Sequence, residues 1–217
     1  YFLLITRNYL EELPISVDEI YELSGTKSKR FSRVYSEIWK MYDNPHKADL
    51  PFKPQVIVAE DSGSGYQFFS KIAQKMGIKC ISSGGKSGVY RELSAHSDER
   101  VVVIADGAAF GSEIADVVKQ QRLSTNRIGI YLPESFEWII LNSDVVALQD
   151  DDRLSRPEEY ADSTDYMSWE QFFTALLFEA TKDSKYQKYN KEQISDFYCQ
   201  ERVEGKIREF IKGIDFT

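Results

Sequence analysis

Two short apolar runs that end in acidic residues constrain this chain more than any other feature. Residues 56–59 are Val-Ile-Val-Ala and lead into Glu60 and Asp61, while residues 101–105 are Val-Val-Val-Ile-Ala and lead into Asp106. Runs of this kind are typical of strands that are buried on both faces of a parallel sheet. Open α/β sheets bind ligands at the carboxyl ends of their strands, so these carboxylates are the first candidates for chemistry.

The alternation of strand-like and helix-like patterns extends from residue 54 to about residue 141. Strands separated by helices of about ten residues call for βαβ units with right-handed crossovers. We therefore predict an α/β fold with a mostly parallel four-stranded sheet that is flanked by helices. The predicted strands are residues 55–59, 78–82, 101–105 and 127–131, and the predicted helices are residues 65–76, 88–95, 111–121 and 134–141.

Breaks in this pattern delimit the α/β domain. Prolines at positions 45 and 51 lie in a turn-rich segment before it, and an acidic run at residues 150–152 follows it. The α/β domain is therefore predicted to cover residues 51–149, and a helical C-terminal extension covers residues 150–217. The acidic run is interpreted as a solvated linker in preference to a cation site.

Residues 1–50 are predicted to form a short strand and two helices. A Ser-x-x-Glu pattern at residues 16–19 is typical of a capping box at a helix start. The second predicted helix covers residues 31–42, where apolar residues recur at spacings of three and four. Tyr1 already lies in a strand-like run, so we expect this chain to continue a longer protein.

Composition restricts the function classes. The chain has 217 residues, of which 27 are basic and 35 acidic, and its net charge of −8 gives no overall attraction to a phosphate backbone. Any contact with nucleic acid therefore needs a local patch, a metal or a partner. The two cysteines form neither a disulfide framework nor a Cys-x-x-Cys motif, which favours a reducing, cytoplasmic setting. No run approaches the roughly 20 apolar residues of a membrane span, so no membrane partner is expected.

Acidic residues at the carboxyl edge of a sheet have two interpretations. Clustered carboxylates suit Mg²⁺, which takes oxygen ligands and often needs only one or two carboxylates plus a substrate phosphate. A metal held there would support phosphoryl transfer. Alternatively, Glu60, Asp61 and Asp106 cap the helices that follow the strands. The spacing of these residues leaves both interpretations open.

The loop at residues 82–88, Ser-Ser-Gly-Gly-Lys-Ser-Gly, nearly matches a Walker A phosphate-binding loop. The first glycine of that motif falls on Cys80, inside a predicted strand, so ATP hydrolysis by this loop is not expected. Backbone amides at a helix start can still bind one phosphate, and Gly84, Gly85 and Lys86 are the candidates. A simple glycine-rich turn is an equal alternative.

Two of these motifs resemble the Toprim domain of topoisomerases, primases, recombination-mediator proteins and OLD-family nucleases. They are Glu60 with the Gly/Ser turn and helix that follow it, and Asp106 within residues 104–112, Ile-Ala-Asp-Gly-Ala-Ala-Phe-Gly-Ser. The resemblance covers about residues 54–142. It implies Mg²⁺ or Mn²⁺ as cofactor, Glu60 as the general acid/base or a metal ligand, and Asp106 as the first metal ligand.

This chain departs from the family pattern at two positions. The second acid of the Asp-x-Asp motif is replaced by Ala108, and Asp61 stands where the family has a small residue. Either the metal site is rebuilt around Glu60, Asp61 and Asp106, or it no longer catalyses. Several Toprim-like nucleases place an acid after the fourth strand, and by that likeness Glu137 would replace the missing ligand. A dipole-favoured acid in the first turn of a helix is the alternative for Glu137.

The start of the chain, about 20 residues, resembles the end of an ABC-type ATPase domain that leads into the Toprim-like region of OLD-like proteins. The expected function is metal-dependent cleavage of DNA or RNA phosphodiesters, gated by an ATPase in the same protein or a partner, as in antiphage defence. Self-association into a homo-oligomer is compatible with this function. The alternative is a catalytically inactive Toprim-like binding or regulatory module, which Ala108 and the net acidity favour.

Overall fold

Helices and strands alternate through residues 56–142, as the sequence predicts. In this computed structural model, four strands form an all-parallel sheet, and every residue of the first and third of these strands is buried. The predicted α/β class with a parallel sheet is confirmed. The four strands are β3 (Val56–Ala59), β4 (Lys79–Ser82), β5 (Val101–Ile104) and β6 (Ile128–Tyr131). The structure describes residues 20–24, 37–42, 52–107, 113–124, 127–148, 152–161, 165–211 and 213–216.

The order of the strands in this sheet is β4-β3-β5-β6. The chain therefore moves outward from β3 to β4, returns across β3, and continues through β5 to β6. The reversal lies between β3 and β5, whose carboxyl ends lead directly into Glu60 and Asp106. Such a switch point is the usual ligand-binding position of an open α/β sheet. The topology thus brings the two acid-ended runs side by side.

Helices cover both faces of the sheet, because alternate residues of each strand point to opposite sides. Val56 and Val58 face α2 and α3 in one cluster, while Ile57 faces α1, α4, α6 and α7 in the other. Both faces are thereby removed from water, as a parallel sheet requires. These helices are α1 (Ser64–Met76), α2 (Lys86–Ala95), α3 (Ile114–Leu123), α4 (Phe136–Asn142), α6 (Trp169–Thr181) and α7 (Glu201–Phe210), and a short α5 (Asp152–Ser155) precedes α6.

The N-terminal prediction of helices was wrong where the structure describes that region. Ile20–Ser24 forms β1 and Glu37–Tyr42 forms β2, and the two strands pair antiparallel in a sheet of their own. A six-residue run with mixed apolar spacing fits a strand as well as a helix, and cross-strand pairing decided the outcome. The other predictions for residues 1–50, including the strand at the start, lie outside the described residues.

The C-terminal extension packs against the sheet. Phe172, Phe173 and Leu177 of α6 lie in the same apolar cluster as Ile57 of β3 and Val102 of β5. The α7 helix is tied to α1 by a buried acid, Glu204, which pairs with Lys75 and, at 3.6 Å, with Arg208. The extension therefore shares one core with the α/β domain.

Phe173→Ala tests this shared core. The Phe173 side chain is 0% exposed, so its removal should lower the free energy of unfolding by about 3–5 kcal/mol, and the chain should unfold in a single transition. Phe178→Ala on the same helix is the matched control, because Phe178 is 41% exposed and its loss should change stability by less than about 1 kcal/mol. Calorimetry or denaturant unfolding gives both values. A separate early transition for the extension would contradict the shared core.

Candidate functional site

A small pocket opens at the carboxyl ends of β3 and β5. The carboxylates of Glu60, Asp61 and Asp106 line it, together with apolar side chains that include Phe69 and Phe136. The sequence predicted that these three acids share one edge of the sheet, and the structure places them together there. The hydrogen-bond partners and charges around each acid determine its protonation and its chemical role.

Glu60 lies over the start of α2. Its carboxylate accepts a hydrogen bond from the backbone N–H of Lys86, and the Lys86 ammonium is close enough to act on its charge. Burial, followed by the negative charges of Asp61 and Glu170, nevertheless raises the pKa of Glu60. The predicted phosphate loop is therefore folded against a carboxylate, which already uses the first N–H of the helix.

The glycines of this loop make that arrangement possible. Gly84 and Gly85 have backbone φ values of 70° and 117°, which residues other than glycine rarely adopt. The Gly85 N–H donates to the Glu60 carbonyl at 2.8 Å, and the Ser83 hydroxyl also donates to that carbonyl at 3.1 Å. The loop thus fixes both the backbone and the side chain of Glu60.

Asp61 caps the start of α1. Its carboxylate accepts hydrogen bonds from the backbone N–H groups of Tyr66, Gly63 and Gly65. Burial raises the pKa of Asp61 in spite of these bonds, and the charge of Glu137 adds to the increase. The capping interpretation from the sequence therefore describes Asp61, although the same carboxylate also lines the pocket.

Asp106 is the acid whose pKa is affected by the negative charges of four other acids. Burial raises the pKa of Asp106 well above its usual range, and the negative charges of Glu170, Glu137, Glu60 and Asp61 raise it further. These five residues form what we call the acidic cluster. The combination of burial and like charge makes ionisation of Asp106 unfavourable without a compensating positive charge.

Glu137 is buried in the first turn of α4, with 2% of its surface exposed. The Tyr189 hydroxyl donates to its Oε1 atom at 2.8 Å, and the Ser64 hydroxyl lies 2.5 Å from the same phenol oxygen. The prediction that Glu137 faces this edge agrees with its electrostatic effect on Asp61 and Asp106. Glu137 also lies in the first turn of its helix, so the dipole interpretation from the sequence applies to it as well.

The C-terminal extension contributes two further charged groups that sequence reasoning missed. Lys191 donates a hydrogen bond to Glu170, which lies in the first turn of α6. Burial alone would lower the pKa of Lys191, but this bond and the charges of Glu137 and Asp106 outweigh burial and raise it. The Lys191 ammonium is thus a positive charge held beside the acidic cluster. No local sequence pattern indicated that these two residues would lie beside the acidic cluster.

Backbone contacts hold the segment that carries Lys191 against α1. The Ser64 N–H donates to the Lys191 carbonyl at 2.8 Å. The Gln67 side chain donates to the Glu192 carbonyl at 2.8 Å and accepts from the Ile194 N–H at 3.0 Å. The segment from Tyr189 to Ile194, which we call the C-terminal strap, therefore crosses the start of α1 beside the pocket.

The donor chemistry of the acidic cluster suits a hard cation, because all its ligating atoms are carboxylate oxygens. Within the described ranges, however, no group of three His, Cys, Asp or Glu side chains has the spacing of a metal site. Glu60 and Asp61 are directed to backbone N–H groups, and Lys191 supplies positive charge. Ala108, at the second position of the Asp-x-Asp motif, lies outside the described residues. Mg²⁺ or Mn²⁺ at this site remains a prediction.

Comparisons with known proteins give no match: no family model, no curated protein and no solved structure resembles this chain closely enough to be assigned. Among the helices that the structure describes, none combines the length and the apolar character that crossing a membrane requires.

Gly63→Ala tests the close approach of the C-terminal strap. A Cβ atom at Gly63 would lie 2.4 Å from the Lys191 carbonyl oxygen, so the strap must shift, and we expect a loss of about 1–3 kcal/mol in stability. Gly205→Ala is the matched control. A Cβ atom there would have no other atom within 4 Å. Because alanine has a higher helix propensity than glycine, this variant should be more stable by about 0.5–1 kcal/mol. Equal effects of both variants in chemical denaturation would show that the strap does not pack on Gly63.

The raised pKa values of Asp106, Glu60 and Asp61 predict how stability depends on pH. An acid whose pKa is higher in the folded than in the unfolded state binds more protons when folded, so stability falls as pH rises from the ordinary carboxyl pKa through the raised one. With a chelator present, Asp106→Asn should make this fall shallower and raise the Tm at neutral pH. Asp116→Asn, an exposed acid on α3, is the control. Identical pH profiles for the two variants would contradict the assignment.

Proposed function

We propose that this chain cleaves nucleic-acid phosphodiesters with the help of a divalent cation, and that its α/β domain is Toprim-like. The observation that supports this most is the acidic cluster at the switch point of the sheet. Burying mutually repelling carboxylates is unfavourable, and proteins accept such an arrangement at functional sites more often than elsewhere. A bound cation would relieve the repulsion.

The proposed role of each acid follows from its position in the acidic cluster. Glu60 would serve as general acid/base or as a ligand, and Asp106, with Asp61 and Glu137, would hold Mg²⁺ or Mn²⁺. When bound, the cation would polarise a phosphoryl oxygen or activate water. In the described conformation the carboxylates of Glu60 and Asp61 accept hydrogen bonds from backbone N–H groups, and no group of three described acids has metal spacing.

Local positive charge is also part of the proposal, because a net charge of −8 does not attract DNA or RNA. Lys86 lies beside Glu60, and Lys191 lies beside Glu170. We propose that both ammonium groups contact the substrate phosphates, with Gly84 and Gly85 shaping the loop that carries Lys86. Gating by an attached or partner ATPase and a role in antiphage defence belong to the same proposal and rest on the sequence resemblance. A cytoplasmic location is proposed from the cysteine pattern.

A second function, that of a catalytically inactive binding or regulatory module, is favoured by a different observation. Glu60 and Asp61 cap helices, and Lys191 pairs with an acid of the cluster. Side chains with such structural partners can persist in a fold that has lost its metal. Under this alternative, the acidic cluster binds no divalent cation.

A cleavage assay separates the two functions. Single- and double-stranded DNA and RNA are incubated with Mg²⁺ or Mn²⁺ and this chain, alone and within the longer protein that the N-terminal resemblance implies. Glu60→Gln and Asp106→Asn should each lower the cleavage rate by about 10²–10⁴-fold, the usual contribution of a positioned acid or base. Calorimetric titration with Mn²⁺ reports metal binding independently of cleavage.

Glu201→Gln and Asp116→Asn are the matched controls, because both acids are exposed and lie outside the acidic cluster. They should leave the rate unchanged. Absence of cleavage by both wild-type forms, together with absence of Mn²⁺ binding, would support the inactive module. Cleavage that Glu60→Gln and Asp106→Asn do not alter would refute this site.

A further inference from the structure

Residues 182–188, which we call the basic loop, follow the end of α6 and lead into the C-terminal strap. Their sequence is Lys-Asp-Ser-Lys-Tyr-Gln-Lys, so three of the seven residues are lysines and one is acidic. Lys182, Lys185 and Lys188 are all exposed. In a chain with a net charge of −8, this loop has the local excess of positive charge that contact with a phosphate backbone requires.

The described part of the fold does not neutralise these three lysines. Among the residues that the structure describes, the side chains of Lys182, Lys185 and Lys188 form no ion pair and no hydrogen bond. The dipole of α6 favours a basic residue directly after the helix, which accounts for Lys182. That effect does not extend to Lys185 and Lys188. The charges of the basic loop are therefore available to an anionic partner.

Hydrogen bonds hold the backbone of the basic loop in place. The Ser184 N–H donates to the Thr181 carbonyl at 3.1 Å, and the Gln187 N–H donates to the Ser184 hydroxyl at 3.1 Å. The Tyr198 hydroxyl donates to the Gln187 carbonyl at 2.6 Å. The Tyr189 N–H donates to the Thr181 hydroxyl at 3.1 Å and so closes the loop onto the end of α6. Because its backbone is already ordered, the loop loses little backbone entropy when it binds a partner.

An exposed aromatic ring lies among these lysines in the sequence of the loop. The Tyr186 side chain is 75% exposed, while its backbone carbonyl accepts a hydrogen bond from the Ser195 hydroxyl at 2.9 Å. The bases of a single strand stack on such rings, whereas the bases of a duplex are already stacked on one another. Positive charge combined with an exposed aromatic ring is typical of surfaces that bind single strands.

The basic loop leads to the edge of the pocket. Lys191 follows Lys188 by three residues, so the Cα atoms of these two lysines are at most about 11 Å apart. The Lys191 carbonyl accepts a hydrogen bond from the Ser64 N–H at 2.8 Å, and the next residue, Gly65, lines the pocket. A strand that lies on the basic loop can therefore reach the pocket along the C-terminal strap.

We propose that the basic loop binds single-stranded nucleic acid, with Lys182, Lys185 and Lys188 on the phosphates and Tyr186 stacked on a base. The inference rests on the proposed function and deepens it, because it names single strands as the substrate class that the pocket receives. Binding at this surface needs neither a cation nor the carboxylates of the acidic cluster.

Fluorescence anisotropy with labelled oligo(dT) and oligo(U) tests this binding, and a chelator excludes any contribution of a metal. Each phosphate contact to a single strand contributes about 0.7 to the slope of log Kd against log salt concentration. A triple variant, Lys182→Gln with Lys185→Gln and Lys188→Gln, should therefore lower this slope by about two. Its Kd should rise by about 10²-fold at about 0.1 M salt.

The matched control is a second triple variant, in which Lys53, Lys79 and Lys119 are changed to glutamine. These lysines are also exposed and lie outside the basic loop, and their removal lowers the net charge by the same amount. The control should bind with the Kd and the salt slope of the wild-type chain. Equal changes in the two triple variants would show that net charge governs binding, and would overturn the inference.

Tyr186→Ala separates stacking from charge. Because one stacked base contributes about 5–150-fold to affinity and involves no ion, this variant should raise the Kd by a factor in that range and leave the salt slope unchanged. Tyr186→Phe should bind as the wild-type chain does. Tyr90→Ala is the control, since Tyr90 is a tyrosine of α2 that is 45% exposed. An unchanged Kd for Tyr186→Ala, or a duplex that binds as tightly as the single strands, would overturn the inference.

The outcomes distinguish this inference from the proposed function. If the chain cleaves DNA or RNA, but both triple variants bind single strands equally, the inference fails and the proposed function stands. If the chain binds single strands through the basic loop but cleaves nothing, the proposed function fails and the binding surface stands. If the chain neither binds nor cleaves, both fail. All the substituted side chains are exposed, so every variant should melt close to the wild-type chain.

Discussion

The need to cover both faces of a buried parallel sheet governs the rest of this structure. The two central strands, β3 and β5, consist of apolar residues on both sides, so each face requires a layer of helices. The α2 and α3 helices cover one face within the α/β domain itself. On the other face, α1 and α4 are joined by α6 and α7 from the C-terminal extension. The extension is therefore a structural requirement of the sheet.

This packing also determines the composition of the candidate site. Because α6 lies on the sheet, its first turn brings Glu170 to the carboxyl edge of the strands, and the segment that follows α6 returns over the start of α1. That return places Tyr189 and Lys191 beside acids that come from β3, β5 and α4. The same contacts that bury the sheet thus add a donor and a positive charge to a group of carboxylates. The C-terminal strap therefore contributes both to the packing of the fold and to the charges of the candidate site.

The acidic cluster combines structural and electrostatic roles. The carboxylates of Glu60 and Asp61 accept hydrogen bonds from backbone N–H groups at two helix starts, which favours their charged forms. Burial and the negative charges of neighbouring acids nevertheless raise their pKa values. Glu137 is more fully buried than these two acids, and the charges of all four other acids act on Asp106, with a phenol and an ammonium nearby. One added positive charge would favour the charged forms of these acids. This is the physical basis for proposing a cation-dependent activity and for keeping an inactive module as the alternative.

The sequence by itself determined the strands β3 to β6, the helices between them and the presence of Glu60, Asp61 and Asp106 at one edge. Those features follow from local hydrophobic patterns and from the fixed geometry of parallel strands. It did not determine β1 and β2, because a short apolar run fits either periodicity and cross-strand pairing selects one. Only the tertiary structure decided that Glu170, Tyr189 and Lys191 belong to the site. They lie 64 to 85 residues after Asp106, and packing of the extension, which no local pattern encodes, brings them there.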